Sequence, residues 1–425
     1  MTGSALIVAA PGSGHGKTLV TAGLAKALLD SGKTVRIFKM GPDYLDPAFL
    51  EHATGLQVRQ LDYWMQSREE IQRELARGAR EVDHILIEGV MGLFDGEHSV
   101  AKLAKDFALP VLMVADASAQ AQTFGALIYG LSLYDEDVDV VAVLANKVGS
   151  PRHASMLEES IRPPTRWITA IHRDPALAVH ERHLGIDGGK DTGGPAAAAM
   201  AEKLAPALEK LPWKTLDLLL ESVKPDLEQR LKGKRIAIAR DPALNFLYHA
   251  NIDFLQRQGA EVSFFSILND SQIPDCDALY LPGGYPELHA KILSDNTSMR
   301  ESVAAHIHDG KICVAECGGM LYLQQSLQHD EQEFEMLGVF NEQAVVQPRL
   351  AALGYQHLPG TSLRGHTFHY AKLENDQQEE RSEFADGRVG EGIFRYRNTV
   401  ASFVHWYFSS DPDTICAWFN GCNNN

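Results

Sequence analysis

The chain has 425 residues, 45% of them hydrophobic, enough to bury two cores rather than one. Lys and Arg total 39 against 56 Asp and Glu, a net charge of -17 that repels a phosphodiester backbone, and no dense basic run offsets it, so nucleic acid is excluded as an expected partner. Residues Met1 to Ala5 run straight into an apolar strand without a basic n-region and h-region, and no apolar run reaches the ~20 residues that span a bilayer; a soluble, cytoplasmic protein with no membrane partner is expected.

In the first half, short apolar runs alternate with helical stretches: Ala5 to Ala10, Thr34 to Phe38, His84 to Ile87, Val111 to Ala115, Val138 to Leu144 and Ile168 to Ile171. Continuous apolar strands separated by helices predict a parallel sheet covered on both faces, an α/β fold. A Gly- and Asp-rich stretch, Ile186 to Pro195, precedes a predicted helix over Ala196 to Leu211. The charged segment Ser222 to Lys234 is the expected linker, which divides the chain into residues 1–221 and 235–425. The alternation restarts with Arg235 to Ala239, Glu261 to Phe265, Ala278 to Leu281 and Lys311 to Ala315, a second α/β domain. Gln325 to Phe334 and Asn375 to Glu383 are polar enough to read as surface loops.

Between the first strand and the helical run Leu19 to Leu29 lies Pro11, Gly12, Ser13, Gly14, His15, Gly16, Lys17, Thr18. Glycines let backbone N–H groups converge on phosphate oxygens, the helix N-terminus adds its dipole, Lys17 supplies a point charge and the Thr18 hydroxyl can ligate Mg²⁺. Pro11 stands where the strict phosphate-loop pattern has its first glycine. After the second strand come Lys39, Asp43 and Asp46 in a Gly-Pro-Asp turn, and after the third come Glu88 and Asp95, all expected at the carboxyl edge of the sheet where such folds bind ligands. Glu88, ending an apolar strand, is placed either to hold Mg²⁺ or to cap the turn that follows. Asn146 follows the fifth strand and reads either as a base contact or as a turn former.

A second site emerges at Lys311 to Met320, an apolar strand that turns at Cys317 with Gly318 and Gly319 directly behind it. That is the pattern of a nucleophile elbow, and the dipole of the following helix is expected to lower the thiol pKa. Of the five cysteines (Cys276, Cys313, Cys317, Cys416 and Cys422), none forms a CxxC pair, and Cys313 reads as a buried core thiol. Gly283 and Gly284, after the strand Ala278 to Leu281, offer backbone amides for an oxyanion hole. His405 is the expected general base for Cys317, with His366 and His369 as competitors that the sequence does not rank.

These motifs, in this order, resemble the cobyrinate a,c-diamide synthases, including the hydrogenobyrinate and nickel-sirohydrochlorin members, over nearly the whole chain. The likeness rests on the phosphate loop, Gly41 to Pro47, Glu88 to Gly96, Arg182 to Gly185, Ala239 to Asp241, Pro282 to Glu287 and Glu316 to Gly319. It implies a dethiobiotin-synthetase type of phosphate-loop domain followed by a class I glutamine amidotransferase domain of flavodoxin-like topology. It further implies that Cys317 attacks the side-chain amide of L-glutamine and that the ammonia released displaces phosphate from an acyl phosphate made with ATP on a corrinoid carboxylate. Under that resemblance Gly12, Gly14, Gly16, Lys17, Thr18, Lys39 and Asn146 are nucleotide contacts, and Thr18, Asp43 and Glu88 are magnesium ligands. Asp46, Asp95, Arg182 and His183 fall on the substrate side, the last two supplying either local cations for an acidic tetrapyrrole or a structural pair. A homodimer is left open. Departures are Trp406-Tyr407 after His405, which removes the usual third carboxylate and implies a Cys-His dyad, Thr367 between His366 and Phe368, and His180 in place of a proline. The neighbouring readings are cobyric acid synthase and a non-catalytic ATP switch.

Overall fold

A computed structural model describes residues 3–179, 193–216 and 228–421. The chain forms two compact units, Met1–Ser222 and Val223–Asn425. In the first, the chain runs through β1 (Ser4–Ala9), α1 (Lys17–Asp30), β2 (Val35–Met40), α2 (Leu45–Thr54), β3 (Val58–Leu61), α3 (Arg68–Glu81) and β4 (His84–Glu88). It continues through α4 (Val100–Asp106), β5 (Val111–Asp116), α5 (Thr123–Leu133), β6 (Val140–Val148), α6 (Pro151–Ser160), β7 (Arg166–His172), α7 (Gly193–Leu204) and β8 (Lys214–Thr215). The sheet order is β3-β2-β4-β1-β5-β6-β7, all parallel, with β8 antiparallel on β1.

Local chemistry explains the boundaries. Ser67 caps α3 and exchanges hydrogen bonds with Glu70 in a capping box, an arrangement worth about 1 kcal/mol. Ser99 and Ser150 cap α4 and α6 by accepting from the Lys102 and His153 amides, without the reciprocal bond, and Gly55 ends α2 at φ 72°. The helix expected over Ala196 to Leu211 is shorter: Pro206 cannot donate into the ladder, and the chain tightens into a 3₁₀ turn over Ala205–Lys210. Gly23 of α1 lies against Met200 of α7, where a Cβ would come 2.3 Å from Met200 Cγ, so the glycine sets how closely the two helices pack. Separate apolar clusters fill the two faces of the sheet, one around Phe38, Ile85 and Phe124, the other around Leu24, Phe49 and Leu144. β1 is central, so its loop opens where the strand order reverses.

The second unit contains β9 (Arg235–Ala239), α8 (His249–Arg257), β10 (Glu261–Phe265), β11 (Ala278–Leu281), α9 (Ala290–Asp295), α10 (Thr297–His308), β12 (Ile312–Glu316) and α11 (Gly318–Tyr322). A run of short strands follows: β13 (Ser326–His329), β14 (Gln332–Glu335), β15 (Gln343–Val346), β16 (Ala352–His357), β17 (Arg364–His369) and β18 (Ala371–Leu373). The last elements are β19 (Arg381–Phe384), β20 (Val389–Gly392), β21 (Phe394–Tyr396), β22 (Thr399–Ser402), β23 (His405–Tyr407) and α12 (Pro412–Phe419). The main sheet, β10-β9-β11-β12-β22-β21, is parallel except at the β21–β22 edge. Two smaller sheets, β14-β13-β15-β18 and β20-β19-β16-β17-β23, stand beside it.

The expectation of a loop over Gln325 to Phe334 is overturned. The segment is the β13–β14 hairpin, turned by Asp330 and Glu331 at φ 49° and 62°. Its outward side chains are polar because one face meets water, which hid the alternation. The end of the other expected loop, Asn375 to Glu383, likewise enters β19.

Candidate active site

The phosphate loop leaves β1 and ends at Gly16, φ 89°, directly before Lys17 opens α1. A Cβ on Gly16 would stand 2.4 Å from Asn146 Nδ2, so only glycine lets the loop lie against β6. Asn146 braces that loop: its Nδ2 donates to the His15 carbonyl at 3.0 Å, while its Oδ1 accepts from the Lys147 amide at 2.9 Å. His15 Nδ1 accepts from the Asp116 amide at 2.9 Å, tying the loop to β5 as well. Burial and the nearby Lys39 charge lower the Lys17 pKa, and its Nζ donates to Gly12 O at 3.0 Å and Met91 O at 2.7 Å. Asp95 Oδ2 accepts from the Gly92 amide at 2.8 Å, which makes it the turn former of the segment that packs on Pro11.

β2 runs on past Phe38 to Met40 and so carries Lys39, 1% exposed, to the sheet edge. Its Nζ is 2.5 Å from Asp46 Oδ2, 3.0 Å from Glu88 Oε1 and 3.7 Å from Asp43 Oδ2. Burial would lower its pKa, but Glu88, Asp46 and Asp43 override it and hold the ammonium charged. Burial pushes the Glu88 carboxyl up against the opposing pull of Lys39, and burial with the Asp46 charge pushes Asp43 up to about 7. For Asp46, Lys39 wins over burial and holds the carboxyl down. Asp43 Oδ1 also accepts from the Leu45 amide at 2.8 Å, capping the turn into α2.

No group of three His, Cys, Asp or Glu side chains among the described residues is arranged to hold a metal, and Lys39 occupies the middle of the Asp43, Asp46 and Glu88 carboxylates. A nucleotide-borne Mg²⁺ needs only one or two protein oxygens beside phosphate and water. The Thr18 hydroxyl, donating to Glu88 Oε1 at 2.7 Å, and the buried Glu88 Oε2, which has no partner, fit that requirement. A cavity of about 650 Å³ opens over the loop, lined by Lys17, Thr18, Lys39, Asp46, Asn146 and Arg173 among others. Arg182 and His183 lie outside the described residues.

In the second unit, β12 ends at Glu316 and the chain turns at Cys317 with φ 41° and ψ -105°, a strained conformation of order 1–3 kcal/mol. Both following glycines are required by close approach. A Cβ on Gly318 would stand 2.8 Å from Gly284 N, and one on Gly319 would stand 2.1 Å from Leu281 O. Gly283 lies against His405, where a Cβ would fall 2.0 Å from Cε1. The elbow, the Gly283–Gly284 backbone and His405 therefore converge. His405 is 1% exposed, sits opposite His366 in the β17–β23 pairing, and stacks on its ring at 5.1 Å between centroids.

Electrostatics here differ from the sequence expectation. Burial raises the Cys317 thiol pKa and the Glu287 charge adds to it, outweighing the Gly318 amide, so the expected lowering by the helix dipole is reversed. α11 is only five residues long and begins in a site closed to water. Burial likewise pulls His405 well down, helped by His366 and His369, so the resting pair is a neutral thiol and a neutral imidazole. His369 is held elsewhere: Nδ1 is 2.7 Å from Ala371 O and Nε2 is 3.1 Å from Glu391 Oε1. His366 Nδ1 is 3.0 Å from the Tyr248 hydroxyl, and burial lowers its pKa to about 3.

Sequence reasoning missed two carboxylates. Glu316, its pKa pushed up to about 8 by burial, accepts from the Trp406 amide at 3.1 Å and from the Tyr280 hydroxyl at 2.8 Å, fixing the backbone beside His405. Glu287 is 7% exposed, and burial raises its pKa to about 7. The signal for Glu316 was its place at the end of an apolar strand, the same that singled out Glu88.

A phosphate-loop unit and a thiol-elbow unit in one chain define an ATP-dependent ligase that draws nitrogen from glutamine. Residues 6–185 match the CobQ/CobB/MinD/ParA nucleotide binding domain, and residues 235–413 match the CobB/CobQ-like glutamine amidotransferase domain. The chain is 46% identical over 423 residues to a hydrogenobyrinate a,c-diamide synthase of Stutzerimonas stutzeri, covering 96% of each chain. It is 44% identical to one of Pseudomonas aeruginosa, over 97% of this chain and 96% of the relative. To a cobyrinate a,c-diamide synthase of Herminiimonas arsenicoxydans it is 42% identical, over 99% of this chain and 98% of the relative. The chain belongs to the cobyrinate a,c-diamide synthase family.

Proposed function

We propose that this protein amidates the a and c side-chain carboxylates of cobyrinate, or of its cobalt-free counterpart hydrogenobyrinate, using ATP and glutamine. The observation that carries the reading is the Cys317 elbow, pressed against Gly284 by Gly318 and accompanied by His405 behind Gly283. His405 takes the thiol proton as Sγ attacks the glutamine amide carbon, and returns it to the departing nitrogen, which leaves as ammonia. The amides of Gly283 and Gly284 are suited to the oxyanion. Water then attacks the thioester, with His405 again as base, and glutamate departs.

In the first unit the Gly12–Thr18 loop cradles the ATP phosphates, with Lys17 as the cation at the γ-phosphoryl group. A corrinoid carboxylate oxygen takes that group and ADP leaves; ammonia then displaces phosphate from the acyl phosphate. Lys39 remains a buried cation at this edge, suited to the incoming carboxylate. Thr18 and Glu88 would hold Mg²⁺, which supplies charge neutralisation at the phosphates when bound. Among the described residues no helix is long and apolar enough to cross a membrane. Mass spectrometry of products from each macrocycle with ATP, Mg²⁺ and glutamine tests the reading. Two successive replacements of a carboxylate by an amide are expected; four, or none with either macrocycle, would overturn it.

A further inference from the structure

Glu287 lies in the short 3₁₀ turn Pro286–His289, which follows Tyr285 and the Gly283–Gly284 pair, of which Gly283 faces His405. Its Oε2 is buried without a hydrogen-bond partner, and no cation among the described residues is paired with it. The turn packs on the nucleophile elbow, since a Cβ on Gly318 would come 2.9 Å from Pro286 Cδ. Among the charges that act on the Cys317 thiol, that of Glu287 is the strongest, in keeping with a turn packed against the elbow. Leaving a carboxylate there without a counter-ion is costly, and such groups are ordinarily matched by a cation. None of the described residues supplies one.

The substrate does. Glutamine carries a single cation, its α-ammonium, three carbon–carbon bonds and one carbon–nitrogen bond from the amide carbon, roughly 5 Å away when extended. With the amide carbon at Sγ, the ammonium stays within roughly 5 Å of the elbow on which the Glu287 turn packs. Resting on the glutaminase reading of Cys317, we propose that Glu287 binds the α-ammonium of glutamine and selects amide donors that carry it. Binding then neutralises the one carboxylate that most opposes thiolate formation, so arrival of the correct donor and activation of the nucleophile are a single event.

The test compares ammonia release from glutamine and from glutaramate, the same amide without the α-amino group, in the full-length protein. Wild type is expected to favour glutamine by about 100-fold or more in kcat/KM, chiefly through KM. In Glu287→Gln, activity on glutamine falls by about that factor while activity on glutaramate holds or rises, and the preference for glutamine shrinks to about threefold or less. Retention of the wild-type preference, or an equal loss with both donors as for a proton donor to the leaving nitrogen or a structural role, overturns the assignment. Glu287→Asp keeps the charge and should keep the preference at a raised KM, which covers the case in which the Gln variant does not fold. Cys317→Ala is run alongside. If it still releases ammonia, the glutaminase reading fails; if it is inactive while Glu287→Gln discriminates like wild type, only the role of Glu287 falls.

Discussion

Gly283→Ala tests the placement of His405. The added Cβ would stand 2.0 Å from Cε1, 2.7 Å from Nδ1 and 3.2 Å from Nε2 of that ring, whereas ordinary contact begins at 3.4 Å. The nearest ring atom must therefore retreat by about 1.4 Å, or the Gly283 backbone must move by as much. Neither is free: the ring is buried among Phe246 and His366, and the Gly283 carbonyl accepts from the Phe246 amide at 3.0 Å. A 1 Å misplacement costs roughly 10²-fold and the whole of general acid–base catalysis roughly 10²–10⁴-fold, so glutaminase kcat/KM should fall within that span. Overpacking should cost about 1–3 kcal/mol of stability, read as a lowered unfolding midpoint. The assay is amidation supported by glutamine against amidation supported by ammonium in one preparation; only the first should fall. Glutamine-supported activity within about threefold of wild type would refute the placement of His405 as the base.

Cys317→Ser should abolish glutamine-supported amidation and spare ammonium-supported amidation; equal loss of both would contradict the division of labour between the units. Lys17→Ala should remove synthesis with either nitrogen donor, measured by product formation, and full activity would mean the loop does not serve the phosphates. Lys39→Gln removes the counter-ion of Glu88, Asp46 and Asp43 and should destabilise the protein by about 3–5 kcal/mol, with the unfolding midpoint partly restored by added Mg²⁺; an unchanged midpoint would remove Lys39 from that role. Glu287, raised to about 7 from 4.5, contributes stability that is fully present below pH 4.5 and is lost as pH rises through 7. Glu287→Gln should therefore gain on wild type above pH 7, by an order-of-magnitude ~3 kcal/mol, and chemical denaturation at pH 5 and 8 reads the difference.

What was legible in the sequence follows from burial. β1, β4 and β5 are covered on both faces and read as unbroken apolar runs, and β9, β10 and β11 coincide with their expected spans. Val58–Leu61 escaped notice because Arg59 and Gln60 interrupt it, and the antiparallel strands after Tyr322 escaped because half their side chains face water. Lys17 and Cys317 were visible because their glycine neighbours are rare in combination. Glu287 and Glu316 were not, since glutamate is ordinarily exposed and only the folded chain shows these two enclosed. The direction of the thiol shift was misread for the same reason: a helix terminus can be seen in sequence, the exclusion of water around it cannot.

Cys317 and His405 are mounted on different frames. The thiol ends a strand of the parallel sheet, while the imidazole opens a strand of an antiparallel one, and only Phe403 and Val404 join Ser402 of the first to His405 of the second. Such a short tether acts as a rivet. It leaves the outer strands of the antiparallel sheet free to drift in sequence and length, while any shear between the two sheets is delivered at the reacting pair. Alignment of nucleophile and base is thus a tolerance set by two residues of chain, and insertions there should be far less forgiving than insertions in the β19–β20 turn.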